Sequence, residues 1–442
     1  MNMTTPSHYV AEYATLKDKL PGQALDWLAA YRTDAFMQFA AQGFPSAREE
    51  EWRYTNFSIL DKKTFTPAES TFDKSAAQAC LNTYKLPDAW VVVLVNGHFS
   101  AELSTLAELP ENVLVMGMAQ ALTTKADWLQ PYLGQAVPSS DAHGFIAFNA
   151  AWFTDGVFIH VPTKQVLAKP IQILHVVNQA DGLATTRNVI VADCFAEVTL
   201  IDTFVATTND AYLSTAVTEV FAGEGAALTR YKLQAESDKA YHFGGIYVKQ
   251  ARDARFTQHD FEFGGLIARS ESFNDLGLAA ECTLNGLYSG INRQHIDNHT
   301  RIIHGQPHAT SRELYKGILD DRARGVFQGR VIVAEQAQKT DSQMNNRNLL
   351  LSNDAEVDTK PQLEIYADDV KCAHGMTVGQ LDEKSVFYLQ SRGVDMETAR
   401  NMLTFAFANE MVDKITIKSL HDLVLTLLLA RFPQEGVDKE WL

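Results

Sequence analysis

From residue 157 to residue 366 the chain is a succession of short β-rich runs, and no helical segment of roughly 10–15 residues separates any two of them. The runs are 157–161, 171–177, 188–191, 197–205, 215–221, 227–233, 245–249, 255–263, 279–284, 286–289, 299–304, 326–333 and 362–366, bounded by Gly, Asn, Asp or Pro. Parallel strands of a doubly wound sheet need crossover helices between them, so this pattern excludes that fold. A sandwich, a barrel and a stacked β-solenoid remain. The strand spacing, roughly 8–12 residues, suits sandwiches and solenoids alike. No strict short repeat singles out the solenoid.

Both ends read differently. Residues 24–42 are rich in Ala, Leu and aromatics with no internal Pro or Gly, and Gly43 and Pro45 end the helix they predict. A polar–aromatic stretch follows, Arg48-Glu49-Glu50-Glu51-Trp52-Arg53-Tyr54-Thr55. Strand signals come next at 90–95, closed by Asn96-Gly97, and at 113–115. After residue 376 the period is helical. A helix over 383–392 stops at Gly393, and Asp395 is placed to cap a second, running to about 415, with Ala399, Met402, Leu403 and Ala406 on one face. Ser419, with Asp422 three residues on, is expected to cap a last helix over 420–431 that Pro433 closes. The expected organisation is a helical or mixed domain over 1–145, a β core over 146–375 and a helical domain over 376–442.

A formal net charge of −16 argues against nucleic acid as a partner, because an acidic surface repels phosphates. The four cysteines, Cys80, Cys194, Cys282 and Cys372, form no C-x-x-C pair and read as reduced thiols. Residues 1–20 lack the apolar core of a signal peptide, and the apolar stretch 423–430 is far short of the ~20 residues a membrane span needs. The expected location is the cytoplasm. No P-loop, nucleophile elbow or H-E-x-x-H helix is present, and Gly223-Glu224-Gly225 lacks the third glycine of a nucleotide loop. ATP chemistry, if any, belongs to another subunit.

Two constellations could carry chemistry. In Cys372-Ala373-His374-Gly375 an extended backbone puts thiol and imidazole on one face, and both are ligands for iron. Two ligands cannot close a tetrahedral site, so the pair reads as a half-site completed by a partner, as a transfer site, or as an accident of sequence. The second is His295, His299, His304 and His308 with Asp297. Its His-x-Asp-x-His alternation suits a cupin-like metal-dependent oxygenase built on His295, His299 and His304, but the usual carboxylate after the second His is missing, and a sheet face carrying histidines needs no metal. Cys194 and Cys282 lie in apolar runs and are expected to be buried, and Cys80 is expected to pack. Met402, Phe405, Phe407 and Met411 are read as helix-face residues for core or partner.

Several stretches together resemble the SufB/SufD family. They are Leu314-Tyr315-Lys316-Gly317-Ile318-Leu319, Ala323-Arg324-Gly325-Val326-Phe327-Gln328-Gly329, Ala337-Gln338-Lys339-Thr340-Asp341, Asn348-Leu349-Leu350-Leu351-Ser352, and the run from Thr359-Lys360-Pro361-Gln362-Leu363-Glu364-Ile365-Tyr366 through Ala367-Asp368-Asp369-Val370-Lys371-Cys372-Ala373-His374-Gly375. Phe387-Tyr388-Leu389 and Ser391-Arg392-Gly393 extend it. Glu50 to Asn56, Leu389 after Phe387-Tyr388, and Gly375-Met376-Thr377-Val378-Gly379 are similar to the SufD branch.

The resemblance implies a mainly β protein, a right-handed parallel β-helix core flanked by helical domains. It implies a non-catalytic scaffold subunit of an iron–sulfur cluster assembly complex. Its partners would be a SufB-type paralogue, met through the β-helices, and a SufC-type ATPase, docked on the C-terminal helices around Arg392, Gly393, Met402, Phe405, Phe407 and Met411. A cysteine desulfurase system would supply sulfur indirectly, and a homodimer stays open to the isolated chain. No cofactor would be held stably by this chain alone; a cluster would be held transiently at the partner interface, by His374 with Cys372 beside it.

Overall fold

The computed structural model describes residues 7–70, 74–138 and 142–432. Its core is a parallel β-solenoid of about eight turns. Each turn contributes one strand to each of two ten-stranded sheets. The first runs from Glu356–Ile365 back through Arg324–Val333, His295–His304, Ile267–Leu276, Tyr241–Gln250, Leu213–Ala222 and Gly182–Ala192. The second runs from Lys371–Gly379 through Asp341–Leu350, Thr310–Leu319, Glu281–Gly290, Arg255–Glu262, Ala227–Ala235 and Glu197–Ala206 to Ile171–Val177 and Trp90–Val95.

Strand parity decides what each residue faces. In the first sheet Ile190, Val220, Val248, Ile302 and Val331 stack in one inward row, and in the second Val198, Leu228, Phe256 and Cys282 do. The repeat escaped sequence reading because its length drifts. At one corner Phe195, Gly225, Asp253, Ala279, His308 and Lys339 all take left-handed backbone, φ 54–66°. Each donates its N–H across to the next turn, as Phe195 does to the Glu224 carbonyl, Gly225 to Arg252 and Asp253 to Leu278. Only one of the six is glycine, so the hydrogen-bonded corner holds five residues against a cost of roughly 1–2 kcal/mol each. The spacing of this column varies turn by turn, and no fixed-period search would find it.

The outward faces are covered by the two ends of the chain. Tyr9, Phe39, Phe44, Trp52, Phe145, Phe148 and Trp152 pack on Leu213, Val217, Tyr241, Phe243 and Tyr247 of the first sheet. The helices Met396–Val412 and Lys418–Leu429 pack on Ile201, Tyr231, Leu233, Phe261, Leu287 and Ile318 of the second. Each large apolar side chain buried this way contributes about 1.5–3 kcal/mol. Where the solenoid begins, antiparallel strands cap the sheets: Leu114–Gly117 on Val157–Val161 and His98–Phe99 on Trp90–Val95. At the other end no such cap exists among the described residues. Glu356–Ile365 and Lys371–Gly379 each have a single hydrogen-bonded neighbour.

Several expectations need correction. The runs 279–284 and 286–289 are one strand, Glu281–Gly290, and Ile267–Leu276, a polar sequence, is a strand that the pattern did not suggest. Trp90–Val95, from the expected N-terminal domain, is a strand of the solenoid sheet, and the last strand runs to Gly379. Asp395 caps Met396–Val412 as expected, through the Thr398 N–H. The buried face of that helix is instead Ala399, Asn401, Thr404, Ala408 and Met411, with Ala406 exposed and Met402 and Leu403 half-buried. Ser419 does not cap: the helix starts at Lys418, and the Ser419 hydroxyl reaches the Asp88 carboxylate. Cys194 is exposed at a corner turn, not buried in a strand, while Cys80 and Cys282 are buried. Pro433 lies outside the described residues.

Candidate functional site

The terminal strand Lys371–Gly379 places Cys372, His374 and Met376 on the inward-facing parity of the second sheet. Cys372 stands beside Ser342, His374 beside Met344 and Met376 beside Asn346. Because the solenoid ends here, inward-facing means facing its open end. His374 is exposed and Cys372 half-buried. Burial pushes the Cys372 thiol above its usual range, though the Ser342 backbone N–H opposes this. In the free chain the sulfur therefore holds its proton, which a metal ion would displace. Met376 sulfur accepts the Thr359 hydroxyl at 3.3 Å. The end thus offers one free imidazole, one thiol and unpaired strand edges. Pro361 takes an N–H donor out of the edge strand Glu356–Ile365, while Lys371–Gly379 contains no proline.

The histidine constellation has another role. His295, Asp297 and His299 share the outward face of His295–His304, but His304, at even parity, turns inward and meets the Ser311 hydroxyl at 2.9 Å. His308 lies at the corner, φ 62°. The outward group closes around a cation of the protein itself: Arg269 Nη1 donates to Asp297 at 2.8 Å, its guanidinium contacts both His299 nitrogens at 3.0 and 3.1 Å, and Glu271 accepts from it at 2.8 Å. Among the described residues no group of three or more His, Cys, Asp or Glu is arranged to hold a metal ion. The cupin-like reading fails on this geometry.

What covers Arg269 is the polar–aromatic stretch near the N-terminus. Trp52 lies against its guanidinium, 3.6 Å from ring centroid to Cζ, the Glu51 carbonyl accepts from it, and Thr55 bonds His295 and Asp297. Glu50 pairs with Lys360 and Glu51 with Arg330. The histidine cluster and the Glu50–Thr55 strap are therefore two halves of one clamp that fixes the N-terminal region to the solenoid close to its open end.

On the C-terminal helices, Met411 is buried against the second sheet and is unavailable to a partner. Phe405, Phe407 and Met402 are half-buried, and Lys316 donates to the Phe407 carbonyl while lying over its ring. Gly393, φ 92°, ends the helix Glu383–Ser391, and Arg392 lies over Tyr388. Sequence reading passed over the most exposed apolar groups of this region, Phe387 (71%), Tyr388 (58%) and Met396 (59%). Their adjacency to a helix C-terminus carries no local signal.

Among the described residues the parallel solenoid is capped by antiparallel strands at one end and uncapped at the other, where Cys372 and His374 lie beside unpaired strand edges. Residues 175–407 match the family described as SUF system FeS cluster assembly, SufBD core domain, and residues 3–173 match the SufBD protein N-terminal region. The chain belongs to the SufBD family of iron–sulfur cluster assembly proteins. It is 32% identical to an iron–sulfur cluster assembly SufBD family protein of Synechocystis, with 85% of each chain covered, and 31% identical to the iron–sulfur cluster assembly protein SufD of Escherichia coli, with 90% of this chain and 91% of that one covered. The SufD protein of Bacillus subtilis is 25% identical, with 91% and 93% covered.

Proposed function

We propose that this chain is the SufD-type, non-catalytic subunit of a cluster assembly complex, pairing through its open solenoid end with a SufB-type paralogue and binding a SufC-type ATPase through its C-terminal helices. The exposed imidazole of His374 on a terminal strand with one unpaired edge carries this reading. A single imidazole and a half-buried thiol give an incomplete coordination sphere, so a partner's thiolate in the same place would complete a site where a cluster is built and from which it leaves. The cluster is then cargo. Sulfur reaches it from a desulfurase system acting on the partner. ATP hydrolysis belongs to the ATPase, whose docking we assign to Phe387 and Tyr388 with Arg392, Gly393, Met402, Phe405 and Phe407 around them. Four free thiols fit a reducing compartment such as the cytoplasm.

In a strain lacking this subunit, His374→Ala is expected to restore the soluble complex but not cluster maturation. Complementation equal to wild type would overturn the assignment. The exposed position makes the variant safe to interpret, since its removal costs no packing.

A further inference from the structure

Among the described residues nine Asp and Glu side chains are buried, and eight of them have their charge met. Asp202 and Asp260 share Arg230, Glu262 takes Lys232, Glu236 takes His242, Glu219 takes Arg187, and Glu271 and Asp297 share Arg269. Asp155 instead accepts three backbone N–H groups, from Phe99, Ala119 and Gly156. Glu313 is the exception. It is 3% exposed, on the inward row of the second sheet between Leu284 and Met344, and no cation and no donor other than the Thr300 hydroxyl approaches its carboxyl oxygens.

Its surroundings supply a hydroxyl and no positive charge. Across the lumen stands the buried Thr300, whose hydroxyl is beside the carboxyl and has no other partner. Met344 faces it from the following strand. The titratable groups that face it are Cys282 on the preceding strand and Tyr315 on its own, and both are held neutral by burial. A lone buried carboxylate is costly unless it is protonated or matched by a cation.

We propose that Glu313, with Thr300, forms an internal binding site for one monovalent alkali cation. A carboxylate and a hydroxyl are hard donors, and one positive charge is what this carboxyl lacks. Proton and cation compete for the carboxyl, which burial pushes up to about 7. The site is separate from His374 and stands whatever that residue does.

The test is thermal unfolding of the full chain in sodium or potassium chloride against choline chloride at equal ionic strength, at about pH 8 and about pH 5, one or more units either side of that titration. Wild type is expected to gain a few degrees from the alkali ion at the higher pH and nothing at the lower. The isosteric Glu313→Gln is expected to abolish the gain while keeping the wild-type circular dichroism, and His374→Ala is expected to keep it. No ion-specific shift in wild type, the same shift in Glu313→Gln, or a shift produced by magnesium and not by either alkali ion would each overturn the proposal.

Discussion

Arg187 and Glu219 show what a single residue holds in this fold. Both are fully buried on the outward face of the first sheet, bonded at 2.7 Å, with Glu219 also accepting the N–H groups of Gly134 and Ala136. Arg187→Met leaves that carboxylate without its cation, and is expected to lower stability by about 3–5 kcal/mol in urea unfolding. A loss under about 1 kcal/mol would mean that the backbone donors suffice. Residue parity also explains what sequence could and could not tell. His295, Asp297 and His299 were legible as one face because alternation is local. That His304 faces inward was equally legible by counting. Nothing local says that Arg269, 30 residues upstream of His299, fills the centre of the cluster, because that follows from the turn length.

Elements were readable where their punctuation is strong. The strand at 90–95 with Asn96-Gly97 and the helix ended by Gly43 emerged as expected, since turn glycines and Asn-Gly pairs have few alternatives. The strand Ile267–Leu276 was missed because its inward row, Ala268, Ser270, Ser272 and Asn274, is small or polar, serving buried ion pairs rather than an apolar core. The corner column makes its own prediction. Ala279 has φ 54° with its N–H bonded to the Pro307 carbonyl, so Ala279→Gly relieves left-handed strain at some entropic cost. A net gain of about 0.5–1 kcal/mol is expected in chemical denaturation, and a loss would contradict the strain argument. At the helical end, Phe387→Ser with Tyr388→Ser is expected to abolish co-purification of the ATPase without altering the circular dichroism. Undiminished binding would move the docking surface elsewhere. This pair is preferable to deleting the helices, which would expose Tyr231, Phe261 and Leu287.

For the molecule as a whole, buried titratable groups set the pH response. Burial holds His175, His259 and His304 at about 4, below the ordinary histidine value of 6.5. Over that window the unfolded chain binds protons the folded chain refuses, so stability is lost as pH falls from 6.5 toward 4. Glu313 acts oppositely: its folded value is raised, so its contribution is complete at low pH and lost as pH rises through about 7. The buried histidines, with His295 lowered as well, and the ion-paired Glu271 and Asp297 outweigh Glu313, Asp155 and Asp260, so net acid destabilisation is expected, measured as a falling urea midpoint, steeper in Glu313→Gln than in wild type. A midpoint independent of pH across this window would show that the buried histidines are not held neutral.

The architecture was legible in outline, since strands without intervening helices leave few folds. The solenoid itself needed the family resemblance, because coil lengths of varying size hide the period. The site followed the same division: spacing placed Cys372 and His374 on one face, and only the fold shows that this face is the open end of the molecule. That end is the centre of the account. Amide hydrogen exchange of Lys371–Gly379, free and after addition of a SufB-type partner, tests it most directly. The terminal strand is expected to exchange fast alone and to become protected in the complex, in wild type and in His374→Ala alike. Unchanged exchange on a strand shown to be in a formed complex would contradict it.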